Sequence, residues 1–315
     1  MPKVSIIIRC YNEEEHIGRL LSGILQQTIK DVEIIVVDSG STDATLSIAR
    51  RYPVRILHIA PQEFSFGRSL NRGCAASEGE LLVFASAHVY PLYKDWLEKL
   101  IAPLEQNPAV ALSYGGQRGN EVTKYSEHQV FAHWFPAKSN PDQDHPFCNN
   151  ANAAIRRSLW ERFPYDEQLT GLEDLDWAKQ VMRDGHKIAY VAGAVIAHVH
   201  NETPERIRNR YQREAIALKR IFPDQRFTFL DFVRLLVTNI ATDLYHARHD
   251  GVLLGNVKSV FTFRTMQFLG TYKGFRRHGN VGRQLKQTFY YPRGLARPST
   301  VTDPALSTRL INYEL

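Results

Sequence analysis

The chain has 315 residues, of which 43% are hydrophobic and 23% charged, with a net charge of +6, so it is long enough for one large or two modest domains with a substantial core. Its three cysteines are widely separated, and the sequence contains neither a secretory leader nor a run of about 18 apolar residues that could span a bilayer. Composition therefore argues against a disulfide-rich secreted protein, a cysteine metal cluster and an integral membrane protein, and it favours a cytoplasmic location.

Two near-continuous β-branched runs, residues 4–8 and 32–37, predict parallel strands that are buried on both faces. Polar turn residues follow each run, and then apolar residues recur at helical spacing. Asn12 is a predicted helix N-cap, with Glu15 three residues later. Open α/β sheets bind ligands at the carboxyl ends of adjacent parallel strands. We therefore predict a ligand site at this edge, formed by Tyr11, Asn12, Glu13, Asp38 and Ser39.

These two segments, with Tyr-Asn-Glu at 11–13 and Asp-Ser-Gly-Ser-Thr-Asp at 38–43, resemble the nucleotide-binding half of family 2 glycosyltransferases with the GT-A fold. The resemblance implies a nucleotide-sugar donor whose base or ribose contacts Asp38, with Arg9 and the 11–13 turn beside it. The sequence contains neither a Gly-x-Gly-x-x-Gly dinucleotide fingerprint nor a Gly-x-x-x-x-Gly-Lys phosphate loop.

Strand and helix patterns continue to alternate over residues 54–59, 68–76, 81–85 and 96–104. This alternation predicts a doubly wound, mainly parallel sheet flanked by helices. Within it, residues 64–73 resemble the family segment that positions the ribose and phosphates of the donor, so Arg68 is either a phosphate contact or a solvated arginine at a helix start.

Residues 115–147 are polar and contain prolines. They predict an irregular, mobile loop that contacts the acceptor, since long loops within compact domains tend to be functional or disordered.

The fourth predicted strand ends in Ser86-Ala87-His88, where family 2 enzymes usually carry Asp-x-Asp to hold Mn²⁺ or Mg²⁺ against the donor diphosphate. Loss of both carboxylates removes the oxygen ligands that suit Mg²⁺, whereas imidazole suits Mn²⁺ and, better still, Zn²⁺. The segment is similar to that of the polypeptide N-acetylgalactosaminyltransferases, which carry Asp-x-His here and a second histidine later in the chain. The similarity implies a divalent metal, with Mn²⁺ favoured over Mg²⁺, held by His88 and His198, with His200 as a substitute. The alternative is a metal-free site in which His88 or Arg68 neutralises the leaving diphosphate.

Residues 172–185 begin with Leu-Glu-Asp-Leu-Asp and continue with a helical pattern. Carboxylates in the first turn stabilise a helix by about 0.3–1 kcal/mol each, which would account for them without any catalytic role. The motif also resembles the catalytic motif of family 2 enzymes, which implies that Asp174 is the general base and that the reaction inverts the anomeric centre. Because amides and carboxylates suit sugar hydroxyls and aromatic rings stack on sugars, the predicted acceptor contacts are Asn150, Asn152, Glu173, Asp176 and Trp177.

The resemblance fades beyond residue 203, where the charge also changes sign. Residues 201–315 contain 19 Lys and Arg against 9 Asp and Glu, a charge of +10, which leaves −4 for residues 1–200. We predict a catalytic domain at 1–203, a basic helical extension at 204–289 and an extended tail at 290–315. The extension is compatible with a membrane surface, an anionic acceptor, a homodimer contact or plain solvated helix faces. Nucleic acid is not an expected partner, because no binding module for it accompanies the charge.

The combined prediction is a GT-A enzyme, peripheral at the inner face of the membrane, that transfers a sugar from a nucleotide-diphosphate donor to a hydroxyl of a glycan or lipid-linked glycan. A sugar nucleotidyltransferase is one alternative, although the glycine-rich phosphate loop of that class is missing. A non-catalytic sugar- or nucleotide-binding relative is another. The loss of carboxylates at residues 86–88 favours this relative, and the Glu173–Asp174 pair argues against it.

Overall fold

A computed structural model of the protein describes residues 3–277, 310, 311 and 313. The strands of this part are β1 (Val4–Cys10), β2 (Val32–Asp38), β3 (Arg55–His58), β4 (Leu81–Ser86), β5 (Val89–Pro91), β6 (Val110–Arg118), β7 (Asn152–Arg156) and β8 (Lys187–His198). The helices are α1 (Ile17–Leu25), α2 (Thr45–Ala49), α3 (Phe66–Ala76), α4 (Trp96–Gln106), α5 (Tyr125–Trp134), α6 (Arg157–Arg162), α7 (Glu173–Arg183), α8 (Pro204–Ile221), α9 (Phe229–His249) and α10 (Leu253–Arg276). A 3₁₀ turn at Pro61–Glu63 precedes α3.

The described strands form one sheet in the order β3-β2-β1-β4-β7-β6-β8-β5. Parallel pairing of β1 with β2 places Cys10 opposite Asp38, and pairing with β4 places Arg9 opposite Ser86. The polar residues that follow these three strands therefore meet at one edge, as their order in the sequence predicts. The α/β fold with helical flanks is confirmed.

Two strands of the sheet run antiparallel to their neighbours, which the predicted doubly wound parallel arrangement does not include. β7 runs antiparallel between β4 and β6, and β5 runs antiparallel to β8. The antiparallel pairing of β5 with β8 places Val89 opposite His198. This contact brings His88, which directly precedes β5, to the end of a strand that lies more than a hundred residues later in the chain.

Two apolar layers cover the faces of the sheet. The layer against α1 and α4 includes Trp96, and the layer against α3 and α7 includes Phe84 and Trp177. Both tryptophans are fully buried. Strands β1, β2 and β4 contribute to both layers, which explains why their sequences are continuous apolar runs rather than alternating ones.

The prediction of an irregular loop over residues 115–147 holds for residues 119–124 and 135–147 and was wrong for the rest. β6 continues to Arg118, and α5 occupies Tyr125–Trp134. The apolar periodicity of α5 is weak because two of its buried positions are the polar Ser126 and Glu127, which face the neighbouring helices and histidines rather than an apolar layer.

The predicted boundary at residue 204 coincides with the start of α8, which Thr203 caps. Helix α10 packs along α8 and α9 and also contacts α5. A buried ion pair joins Arg264 of α10 to Asp243 of α9 at 2.7 and 2.8 Å, and Arg264 also donates to the Ser126 carbonyl of α5. The three C-terminal helices are therefore joined through α10, and both α9 and α10 contact α5.

Most of the predicted tail at 290–315 lies outside the described residues. Three of its last residues are described, and they lie against the sheet edge: Ile311 donates to the Leu92 carbonyl, and the Tyr313 hydroxyl donates to the Pro91 carbonyl at 2.5 Å. Arg19 stacks over the rings of Tyr90 and Tyr313.

Across the part of the chain that the structure describes, no helix is both long and apolar enough to cross a bilayer.

Candidate functional site

The turns after β1 and β2 are bound to each other through side chains. Asn12 adopts a left-handed conformation with φ of 54°, which asparagine tolerates better than most residues. Its Oδ1 accepts the Thr42 amide at 2.8 Å, and its own amide donates to the Ser41 hydroxyl at 2.9 Å. The prediction that Asn12 caps α1 was therefore wrong: His16 occupies the N-cap, and Asn12 instead holds the two turns together.

Asp38 and Ser39 lie buried at the base of this junction. The Asp38 carboxylate accepts the backbone amides of Gly40 and Ser41 and lies 3.4 Å from His58. The Ser39 hydroxyl donates to the Cys10 carbonyl. Both side chains shape the loop, and their contact with a donor stays a prediction. Tyr11 lies half-buried at the end of β1.

Arg68 lies at the start of α3, where Ser65 is the N-cap. Its guanidinium donates to the Glu167 carboxylate at 2.7 Å and to the Glu63 carbonyl. The side chain lines an open cleft of about 580 Å³ together with His58, Asn71 and Arg72. Arg68 is thus paired to an acid on the Asp38 side of the site, and a phosphate would have to compete with Glu167 for it.

His88, His198 and His200 come together where β5 meets β8. One ligand nitrogen from each ring lies within 4.8 Å of the other two, and Phe131 of α5 packs against His198 and His200. The Nδ1 atom of His88 lies 2.8 Å from Glu13. Burial lowers the pKa of His88, but the Glu13 carboxylate outweighs burial, so the pKa is raised. The structure thus assembles the three predicted histidines, with Ser86 and Ala87 leading into the cluster.

The acidic motif forms the first turn of α7. Glu173 accepts a hydrogen bond from Arg9 at 2.9 Å, and both side chains are largely buried. Asp174 is 9% exposed and accepts the amides of Asn150 and Leu175. Burial, together with the neighbouring charge of Glu173, raises the pKa of Asp174 to about 7. A carboxyl group with a pKa near neutrality suits a general base.

The turn before this pair is strained. Leu172, directly ahead of Glu173, has φ of 55°, a left-handed conformation that costs a non-glycine residue about 1–2 kcal/mol. Such strain tends to persist at functional sites, where surrounding structure enforces it. Here it sets the direction in which α7 presents Glu173 and Asp174.

Two predicted acceptor contacts were wrong. The Asn152 side chain is 0% exposed and is fully used inside the fold, where it accepts from Trp96 and donates to the Gly116 and Ala194 carbonyls. Trp177 is buried in the apolar layer and donates to the Phe163 carbonyl. Neither side chain has a surface free for a sugar, because tertiary packing covers both.

The other acceptor candidates have mixed surroundings. The Asn150 side chain is also buried, and the backbone amide of Asn150 donates to the Asp174 carboxylate. Asp176 is partly exposed and accepts from Gln180, and burial raises its pKa. Glu173, Asp176 and Asn150 therefore stay predictions for the acceptor site, and the backbone of Asn150 also helps to hold Asp174.

Several residues at the histidine cluster were missed. Gln117 and Glu127 accept hydrogen bonds from His198 and His200 at 2.7 Å. Arg210 of α8 donates to both Glu127 and Glu202. Nothing in local sequence marks these residues, since they come from β6, α5 and α8 and meet only in the folded chain.

The donor atoms at the cluster fit a divalent metal of intermediate softness. The Nε2 atom of His198 is buried and has no hydrogen-bond partner among the residues that the structure describes. Unpaired polar atoms of this kind are costly in a native protein, and a cation would satisfy this one. Imidazole nitrogen suits Mn²⁺, Co²⁺ or Zn²⁺ better than Mg²⁺.

Comparison with known proteins agrees with this architecture. Residues 5–163 match the model of the family Glycosyl transferase family 2. The chain is 30% identical over 223 residues to the O-antigen chain rhamnosyltransferase WbaN of Salmonella anatum, covering 67% of this chain and 70% of the relative. It is 28% identical over 221 residues to the O-antigen chain rhamnosyltransferase RfbN of Salmonella typhimurium, covering 66% of this chain and 70% of the relative.

Among solved structures, the mannosyltransferase PcManGT from Pyrobaculum calidifontis, in complex with GDP-Man and Mn²⁺, superposes with a TM-score of 0.61 at 20% identity and covers 87% of both chains. This likeness supports the GT-A fold. Together with the family match and the identity to WbaN, it leads to one assignment: the chain is a glycosyltransferase and belongs to glycosyl transferase family 2.

Proposed function

We propose that this protein is an inverting glycosyltransferase that uses a nucleotide-diphosphate sugar and extends a glycan or lipid-linked glycan. The observation that carries the proposal is the buried Asp174, whose carboxyl group has a pKa of about 7 and lies in the first turn of α7 beside the Arg9–Glu173 pair. The relatives WbaN and RfbN are named as rhamnosyltransferases of O-antigen chains, which makes rhamnose conjugates the first donors to test.

In the proposed reaction, an acceptor hydroxyl oxygen attacks the anomeric carbon of the donor. Asp174 takes the hydroxyl proton as the new C–O bond forms. The bond from the anomeric carbon to the diphosphate breaks, and the nucleotide diphosphate leaves with the bonding electrons. A positioned base of this kind contributes about 10²- to 10⁴-fold to the rate.

Cationic side chains near the site support the departure of a diphosphate. Arg9 lies close enough to both His88 and Asp174 for its charge to oppose the rise in the pKa of each. Arg206 of α8 is half-buried. Burial lowers its pKa, and the nearby carboxylates of Glu202 and Glu13 only partly offset this effect. Preorganised cations near developing negative charge are a common source of rate acceleration. We assign Arg9 and Arg206 to stabilisation of the leaving group.

We also propose a divalent cation at the donor diphosphate, with His88 and His198 as ligands and Mn²⁺ preferred to Mg²⁺. When bound, such an ion neutralises charge on the departing diphosphate. PcManGT, whose structure contains Mn²⁺ with its donor, supports this assignment by fold likeness. The metal-free alternative leaves His88 and the arginines to carry out the neutralisation.

A direct experiment is to incubate the full chain with UDP-, GDP-, dTDP- and CMP-linked sugars, including rhamnose conjugates, and to measure binding by calorimetry and transfer by release of nucleotide. We expect tight binding of one nucleotide class. NMR of the product should show an anomeric configuration opposite to that of the donor. Retention of configuration would contradict the inverting mechanism, and nucleotide binding without transfer to any glycan would favour the non-catalytic alternative.

We further propose contact with an anionic membrane surface through an apolar ridge on α9. The ridge consists of Phe229, Leu230, Val233 and Val237, all exposed, with Leu230 at 74%. Arg226 and Arg234 are exposed beside it. An exposed apolar ridge flanked by basic residues suits the interface of a bilayer with anionic lipids. Membrane contact would bring the site near a lipid-linked acceptor, and the homodimer stays the competing prediction for this surface.

A further inference from the structure

Three hydrogen-bond acceptors hold the histidine cluster from behind. His88 pairs with Glu13 at 2.8 Å, His198 with Gln117 at 2.7 Å and His200 with Glu127 at 2.7 Å, in each case through Nδ1. A carboxylate or an amide oxygen only accepts, so Nδ1 of each ring carries the hydrogen. In the neutral rings this leaves all three Nε2 atoms with a free lone pair.

The three imidazole rings lie close together. The ring centroids of His198 and His200 lie 4.0 Å apart. The ring centroid of His88 lies 5.0 Å from that of His198 and 5.8 Å from that of His200. One ring nitrogen of each histidine lies within 4.8 Å of one from each of the other two. Tetrahedral Zn²⁺ with bonds of about 2.0–2.1 Å would bring its nitrogens to about 3.3 Å from each other. The remaining closure of up to about 1.5 Å can be shared among three side chains.

We propose that His88, His198 and His200 together form a tris-imidazole site for a borderline-soft divalent cation, with Zn²⁺ and Co²⁺ bound more tightly than Mg²⁺. The inference rests on the proposed function for its place at the donor site, and it adds a third protein ligand and a metal selectivity. A neutral set of three nitrogens has no oxygen ligands for Mg²⁺, whereas imidazole affinity rises towards Co²⁺ and Zn²⁺.

A neighbouring group of Glu127, His200 and Glu202 is a weaker metal candidate. Arg210 donates to both of its carboxylates at 2.6–2.8 Å, so a metal ion would have to compete with this guanidinium for their oxygens. The arrangement instead orients His200, since ligating histidines usually donate their other nitrogen to a carboxylate or carbonyl. Helices α5 and α8 thereby help to set the geometry of the metal site.

The test is titration of the metal-free full chain with Co²⁺, followed by its visible ligand-field spectrum, and with Zn²⁺ and Mg²⁺ by calorimetry. We expect one Co²⁺ or Zn²⁺ per chain, with an intense tetrahedral Co²⁺ spectrum and at least 100-fold weaker binding of Mg²⁺. His200→Gln should weaken Co²⁺ binding more than about 10-fold and reduce the intensity of the spectrum. Glu127→Gln, which keeps the ring but weakens its support, should weaken binding about 10- to 100-fold.

His249→Gln is the matched control, because this histidine is exposed on the last turn of α9 and should leave Co²⁺ binding unchanged. Circular dichroism of each variant in EDTA confirms that it is folded before titration. Unchanged Co²⁺ affinity in folded His200→Gln would overturn the three-ligand site, as would the absence of stoichiometric Co²⁺ and Zn²⁺ binding in the wild type. If the metal inference fails in this way, sugar transfer by the wild-type protein would still leave the glycosyltransferase proposal intact. Stoichiometric metal binding without transfer from any donor would support the metal site and contradict the proposed transfer reaction.

Discussion

Asp174 illustrates how environment defines the role of a single residue. Aspartate is a weak base in water, yet here burial beside Glu173 raises its pKa to about 7. Two backbone amides that donate to its carboxylate, and the nearby Arg9, oppose the rise. The balance leaves the group largely ionised just above neutral pH and basic enough to accept a proton.

Asp174→Asn tests the base directly. The substitution keeps the size of the side chain and removes the ionisable oxygen, so we expect transfer to fall by about 10²- to 10⁴-fold. Nucleotide affinity, measured by calorimetry, should stay within a factor of a few. An equal loss of donor affinity and rate would assign Asp174 to donor binding instead.

The pH profile offers an independent test. A base must be ionised to accept a proton, and a carboxyl with a pKa of about 7 is mostly protonated below that pH. The value of kcat/KM should therefore rise with pH, by about tenfold per unit below neutrality, and level off above about pH 8. A profile that is flat down to pH 5 would mean that the base has an ordinary aspartate pKa of about 3.9.

At the scale of secondary structure, the central elements are joined by buried polar contacts as well as by apolar packing. Asn152 connects three strands and a helix, because it lies on β7, donates to carbonyls of Gly116 on β6 and Ala194 on β8, and accepts from Trp96 on α4. Its place is structural, although an isolated Asn-rich turn also suits a sugar site.

Asn152→Ala should therefore destabilise the fold. The substitution leaves one indole donor and two carbonyls without their partner in the interior, and each unsatisfied group costs about 1–3 kcal/mol. We expect urea unfolding to show a loss of about 3 kcal/mol or more, with little change in the acceptor KM of the folded fraction. Normal stability with a raised acceptor KM would restore Asn152 to the acceptor site.

At the scale of the whole molecule, the C-terminal helices do more than extend the chain. Helix α8 contributes Arg210 to the network behind His200 and Arg206 near Glu13. Helix α10 is bound to α9 through the buried Arg264–Asp243 pair. The histidine cluster and the helical region therefore share a hydrogen-bond network, which the predicted boundary at residue 204 does not convey.

Arg264→Ala tests how far this packing stabilises the fold. Removing one partner of a buried ion pair leaves an uncompensated charge and typically costs about 3–5 kcal/mol. We expect a loss of that order in urea unfolding followed by far-UV circular dichroism. Arg234→Ala removes the exposed Arg234–Asp231 pair on α9 and should have little effect. Equal effects of the two substitutions would mean that burial of the Arg264 pair contributes nothing specific.

The ridge on α9 gives a second prediction at this scale. Wild-type protein should sediment with vesicles that contain anionic phospholipid and should remain in solution with purely zwitterionic ones. The double substitution of Phe229→Ser and Leu230→Ser should abolish sedimentation, whereas Leu25→Ser, at an exposed apolar residue of α1, should not. If the double variant instead loses a concentration-dependent dimer while vesicles never bind, the ridge pairs two copies of the chain.

Local sequence was sufficient for the first strands of the fold. The apolar runs that became β1, β2 and β4, and the polar turns after them, are determined by residues close together in the chain. Asp174 and the three histidines became candidates through the resemblance of their short motifs to those of known glycosyltransferase families. The predictions for Asn12 and for the α5 region failed. The conformation of Asn12 depends on Thr42 of another turn, and α5 has polar neighbours that weaken its apolar pattern.

The tertiary structure alone decided how those candidates are used. Antiparallel pairing of β5 with β8 joins His88 to His198, and α5, β6 and α8 supply Glu127, Gln117 and Arg210 around them. It also buries Asn152 and Trp177, which local sequence marks as sugar contacts. The spacing of apolar residues and the preferences of turn-forming residues act over a few positions, so they can be recognised in the sequence alone. The pKa of a carboxyl, the tautomer of a histidine and the exposure of an amide depend on residues far away in sequence, so only the folded chain determines them.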